Sequence, residues 1–131
     1  MARSGKKNHP KTLIVEDNES FRRSFKEWLQ ALFPSIIVEE AGDGSEALQK
    51  VEIFQPTLVF MDIQLQGENG LKLTKKIKEK HPDILVVIVT NYDIPEYRDA
   101  ALQYGASGFI SKDSLGHEQV EKLIESLTLD G

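Results

Sequence analysis

The sequence predicts an α/β protein: a doubly wound, five-stranded parallel sheet with helices on both faces. Two observations carry that prediction. Five short apolar or β-branched runs recur along the chain, each followed by a polar turn and a helical pattern, and no internal repeat, low-complexity tract or linker interrupts the rhythm. Strict alternation implies parallel strands, because each return must cross a face of the sheet. Right-handed crossovers then distribute helices to both faces.

Thr12 to Val15 forms the first strand and ends in Glu16-Asp17-Asn18. Phe21, Phe25, Trp28, Leu29 and Leu32 recur at helical spacing, which predicts a helix over 19–32 with a buried aromatic stripe, stopped by Pro34 and Ser35. Ser35 to Glu40 is the second strand, the more polar one and hence a sheet edge. After the turn Gly42-Asp43-Gly44, Ala47, Leu48 and Val51 mark a second helix that ends before Pro56. Thr57 to Met61 is an unbroken apolar strand, buried on both sides. A loop with Gly67 and Gly70 leads to a third helix facing inward with Leu71, Thr74 and Ile77, closed by His81-Pro82.

Ile84 to Val89, the most apolar run, is the fourth strand. Tyr97, Ala100, Ala101 and Tyr104 mark a fourth helix with Gly105 as its C-terminal cap. Ser107 to Ile110 is the fifth strand, and Ser114 is positioned as N-cap of a last helix carrying Val120, Leu123, Ile124 and Leu127. Residues 1–10 read as a flexible tail, 11–127 as one domain, and 128–131 as a tail or the start of a linker.

Composition narrows the function classes. The 131 residues suffice for one core without staples, and the absence of cysteine excludes disulfides and thiolate chemistry. The longest strongly apolar run has six residues, Ile84 to Val89, so no helix is expected to span a membrane. The basic head (Arg3, Lys6, Lys7, Lys11) lacks the apolar stretch of a secretory signal, so the expected location is cytoplasmic. A net charge of −5 argues against direct contact with DNA or an anionic membrane. His9, His81 and His117 share no ligand spacing and read as solvated.

Ligands of a doubly wound sheet bind beyond the carboxyl ends of its strands. There the sequence places Glu16-Asp17 after the first strand, Asp62 after the third, Thr90 after the fourth and Lys112 two residues past the fifth. Three carboxylates in one crevice are costly unless cations share it. Lys112 leaves a formal −2, and an oxygen-only donor set suits a hard ion such as Mg²⁺, which brings the sum to zero. Thr90 and Lys112 can then donate to the oxygens of an incoming phosphoryl group. Each residue also has a plainer reading: Asp62 as a loop cap, Glu16-Asp17 as a capping pair for the first helix, Lys112 as a surface charge, Phe109 as core.

Glu16-Asp17, Asp62, Thr90 and Lys112, with Gly105-Ala106-Ser107-Gly108-Phe109 ahead of the lysine, resemble the receiver domain of two-component response regulators. The likeness covers about residues 11–127. It implies a flavodoxin-like (βα)5 fold with strand order 2-1-3-4-5, and a signalling domain that catalyses only its own phosphorylation and dephosphorylation. It implies Asp62 as phosphoacceptor, Mg²⁺ held by Glu16, Asp17, Asp62 and the backbone carbonyl of Gln64, and Thr90 and Lys112 on the phosphoryl group. Thr90 and Phe109 would form the switch. The implied partners are a sensor histidine kinase or phosphotransfer protein and, on phosphorylation, a second copy docked through helix four, strand five and helix five.

The stretch Asn91-Tyr92-Asp93-Ile94-Pro95-Glu96-Tyr97-Arg98 is similar to receivers joined to LuxR-type DNA-binding domains, which points to a transcriptional regulator. Two departures stand out. Leu65-Gln66 occupies the place where many receivers carry Met-Pro, and bulky Tyr92 lies two residues after Thr90, where it would shield an acyl phosphate from water. Two other classes stay open. One is a phosphate-independent interaction module. The other is a metal-dependent phosphohydrolase, against which stands Gln64, where such enzymes usually carry a second aspartate.

Overall fold

Which strands can be buried on both faces decides the order of the sheet. The computed structural model describes residues 7–113 and 117–130. In chain order the elements are β1 (Lys7–Asn8), β2 (Thr12–Val15), α1 (Glu19–Leu32), β3 (Val38–Ala41), α2 (Gly44–Phe54) and β4 (Leu58–Met61). They continue as β5 (Gln64–Leu65), β6 (Glu68–Asn69), α3 (Gly70–Lys80), β7 (Leu85–Thr90), α4 (Pro95–Gln103), β8 (Gly108–Ser111), α5 (His117–Leu127) and β9 (Leu129–Asp130). The main sheet is parallel throughout, in the order β3-β2-β4-β7-β8, which is 2-1-3-4-5 when only its own strands are counted. The apolar β2, β4 and β7 occupy the middle, and the more polar β3 takes an edge.

Side chains alternate along each strand, so the sheet feeds two cores. Leu13, Val15, Val59, Met61, Val86 and Ile88 meet Ala47, Val51, Leu71, Leu73, Ile77 and Ala101 of α2, α3 and α4. On the other face Ile14, Phe60, Val87, Val89 and Ile110 meet Phe25 and Leu29 of α1 and Val120 and Ile124 of α5. The helix ends follow local chemistry. Asn18 caps α1 by accepting from the Phe21 N–H at 3.0 Å. Gly105, at φ +96°, ends α4; Ala106 N–H reaches the Ala101 carbonyl at 2.9 Å and Gly105 N–H the Leu102 carbonyl at 3.1 Å.

Several boundaries differ from the sequence reading. The second strand begins at Val38 rather than Ser35, because Ile36 N–H closes a turn onto the Phe33 carbonyl. Leu32 and Leu48 face solvent and are not core. The loop after β4 is a hairpin: β5 pairs antiparallel with β6 around Gln66-Gly67, with Gly67 at φ +74°. The expected Ser114 cap lies outside the described residues.

Near the two ends of the chain, the described residues make contacts of their own. β1 pairs antiparallel with β9, Pro10 is buried, and His9 Nδ1 meets the Thr128 hydroxyl at 3.0 Å while its ring packs on Phe33. Residues 7–10 and 128–130 are therefore joined to each other and to the folded body. The other two histidines are partnered as well: His81 Nε2 lies 2.6 Å from the Glu52 carboxylate, and the His117 ring packs at 4.5 Å from Trp28.

Candidate functional site

Hydrogen bonds of the sheet ladder run one residue past the strands and fix the backbone of the site. Glu16 N–H donates to the Ala41 carbonyl at 3.0 Å, Asp62 N–H to Val15 at 3.0 Å, and Lys112 N–H to Thr90 at 2.8 Å. Three side chains that are distant in sequence are thereby held at the carboxyl ends of β2, β4 and β8.

They converge. One carboxylate oxygen from each of Glu16, Asp17 and Asp62 lies within 4.8 Å of the others. Glu16 and Asp62 are buried, at 2% and 7% exposure, while Asp17 faces solvent. Lys112 Nζ sits 2.6 Å from Glu16 Oε1 and 3.5 Å from Asp62 Oδ2. The second Glu16 oxygen accepts from Asn18 N–H at 3.0 Å, and Gln64 N–H donates to the Asp62 carboxylate.

Burial pushes the Glu16 and Asp62 carboxyls above the usual carboxylate range, against the pull of Lys112. One amine thus does not offset three acids in a partly dry crevice. The donor set is all oxygen, with no sulfur or imidazole, and its geometry fits a hard divalent ion. Arg22 does not fill that role: its Nη1 donates to the Glu16 carbonyl at 2.9 Å and its Nε to Glu40 at 2.8 Å.

Thr90 is fully buried at the end of β7, and its hydroxyl accepts from Tyr92 N–H at 3.3 Å. Gln64 opens the β5–β6 hairpin directly beside Asp62. Phe109 lies on the neighbouring strand, half-buried, with the Arg98 guanidinium 4.7 Å from its ring centre. It packs against the core cluster beneath α2, α3 and α4.

Three contributors escaped the sequence reading. The Phe21 ring lies 4.4 Å from Lys112 Nζ, so a residue assigned only to the helix stripe also seats the amine. Arg22 braces the backbone of Glu16. Gly70 lets the start of α3 approach the Asp62 backbone, since a Cβ there would stand 1.9 Å from the Asp62 carbonyl oxygen. Only the glycine after a polar turn hinted at the last of these.

The sequence profile of the response regulator receiver domain matches residues 12–125. Among relatives, the oxygen regulatory protein NreC of Staphylococcus carnosus is 39% identical over 105 residues, covering 79% of this chain and 48% of its own. The response regulator GacA of Pseudomonas syringae is 33% identical over 113 residues, covering 86% and 53%. The chain thus spans about half the length of the curated relatives it matches. Among solved structures, a CheY-like receiver domain protein from Methanospirillum hungatei superposes with a TM-score of 0.80 at 31% identity, covering 89% of this chain and 92% of that one. A LuxR-family DNA-binding response regulator from Staphylococcus aureus gives 0.78 at 26% identity, covering 88% and 97%.

Proposed function

Because this chain belongs to the response regulator receiver domains of two-component signalling, we propose that it is a phosphorylation switch whose acceptor is Asp62. The observation that carries the reading is the buried Asp62 carboxylate, 3.5 Å from the Lys112 amine and clustered with Glu16 and Asp17.

An Asp62 oxygen attacks the phosphorus of a phosphohistidine or small acyl phosphate, the donor's P–N or P–O bond breaks, and the leaving group departs with the electron pair. Glu16, Asp17, Asp62 and the Gln64 carbonyl would hold Mg²⁺, which supplies charge neutralisation for the phosphoryl oxygens when bound. Lys112 neutralises a further oxygen from its seat on Phe21. Thr90 uses its oxygen, not its proton, in the bond from Tyr92 N–H, so its hydroxyl can turn and donate to the phosphoryl group. Phe109 then rotates into the space that Thr90 vacates.

Shifting such an equilibrium from 1:99 to 99:1 takes about 5.5 kcal/mol. Two or three charge-assisted hydrogen bonds, at roughly 1.5–3 kcal/mol each, reach that order. The repacked surface of α4, β8 and α5 is the proposed output face, for a second copy or for a DNA-binding segment of a longer regulator such as the relatives' names describe. A sensor histidine kinase or phosphotransfer protein is the proposed donor, and the cytoplasm the proposed location; among the described residues no helix is long and apolar enough to cross a membrane.

Intact-mass measurement after incubation with a small acyl phosphate and Mg²⁺ tests the reading. A single phosphate adduct is expected on the wild type and none on Asp62→Asn. Decay of that adduct is expected to quicken in Tyr92→Ala, where the shielding ring is gone. No adduct on the wild type would sink the proposal, and continuous phosphate release without an adduct would favour a phosphohydrolase.

A further inference from the structure

The loop between β7 and α4 links the two ends of the proposed switch through side chains that the phosphoryl chemistry does not use. At one end, Tyr92 N–H bonds the Thr90 hydroxyl at 3.3 Å. One residue on, the Asp93 carboxylate takes both arms of Arg98: Nε donates to Oδ1 at 2.5 Å and Nη2 to Oδ2 at 3.0 Å. The same guanidinium lies 4.7 Å from the centre of the Phe109 ring. An arginine fixed as a two-bond fork has lost most of its own rotational freedom, so its plane is held at the ring. Beside it, Ala101, Leu102, Ala106 and Gly108 line a hollow of about 360 Å³ that Arg98 and Phe109 complete.

We infer that Arg98 is a positioning residue that, held by Asp93, retains the Phe109 ring in its half-buried seat beside α4 and so sets the resting level of the switch. This inference rests on the receiver reading. Turning the ring inward forfeits the cation–π contact. Displacement of the Thr90 side chain toward the phosphoryl group takes its oxygen away from Tyr92 N–H, which frees the loop carrying Asp93 and with it the fork. Release of the loop and release of the ring are therefore coupled through one short chain of contacts, Thr90 to Tyr92 to Asp93 to Arg98 to Phe109.

The test combines a ring probe with a rate. Fluorophenylalanine incorporation, with the position-109 signal assigned by Phe109→Leu, reports the ring environment by ¹⁹F NMR without any phosphodonor. In Arg98→Ala the signal should move toward the inward position, and the adduct-forming rate with a small acyl phosphate should rise about two- to five-fold, the range an exposed cation–π contact carries. Asp93→Asn, which leaves Arg98 in place but loosens the fork, should give a smaller shift in the same direction, and Arg98→Lys an intermediate one. An unmoved fluorine signal in Arg98→Ala would overturn the latch even if the adduct forms normally. Absence of adduct in every protein would strike the receiver reading instead, leaving the fluorine signal to decide the latch.

Discussion

The two ends of the sheet are built to opposite rules. At the carboxyl end, Glu16 and Asp62 are buried carboxylates that share one amine, and burial lifts both above their usual range. At the amino end, neutral polar groups meet one another: the Thr12 hydroxyl donates to the Pro10 carbonyl at 2.9 Å, and His9 meets Thr128 at 3.0 Å. The strands between them are the same. The amino end is arranged for stability, and the carboxyl end holds charge at a cost in stability.

The largest effect that could break this contrast lies at Gly70. Gly70→Ala drives a Cβ into the Asp62 backbone, which cannot yield as a side chain would. A loss of about 2–3 kcal/mol in denaturant unfolding is expected. Gly44→Ala should cost clearly less, because its Cβ meets only the free end of the Glu68 side chain. Equal losses at the two glycines would deny the Asp62 backbone its special crowding.

Charge removal sharpens the contrast next. Asp62→Asn should stabilise the metal-free protein by about 1 kcal/mol while abolishing the adduct, since it lightens a crowded acidic cluster. The pH dependence has a defined sign. Glu16 and Asp62 bind protons more tightly folded than unfolded, so the metal-free protein should lose stability as pH rises from about 4 through their raised values. Asp62→Asn should flatten that decline in urea titrations across pH. The Glu52–His81 pair behaves oppositely: the hydrogen bond from His81 holds Glu52 low, so its contribution is lost as pH falls. A stability that rises through the same window would refute the assignment.

The smallest effect belongs to the amino end. His9→Ala removes one hydrogen bond and a ring contact with Phe33, a loss of about 1 kcal/mol, and should leave the adduct-forming rate unchanged. A changed rate would mean that the two ends are coupled.

How much of this was legible in the sequence follows the same division. Long apolar runs announce themselves, so β2, β4 and β7 and the stripes of α1 and α3 could be read directly. The candidate acidic and basic residues could be picked out because each follows a strand end, a place that topology singles out. Two-residue strands carry no period, which hid both the β1–β9 pair and the β5–β6 hairpin. Arg98 and Phe21 were hidden for another reason. Each looks ordinary on its own helix and gains meaning only from an aromatic ring or an amine delivered by β8 and the turn after it.

The ladder bonds made by the amides of Glu16, Asp62 and Lys112 have a consequence for sequence change over time. Each of these three residues is the first past its strand and is pinned there by a ladder bond, so the crossovers beyond can lengthen, shorten or diverge without altering the spacing among them. The chemistry is inherited with the sheet, while the loops and helix surfaces stay free to acquire new recognition.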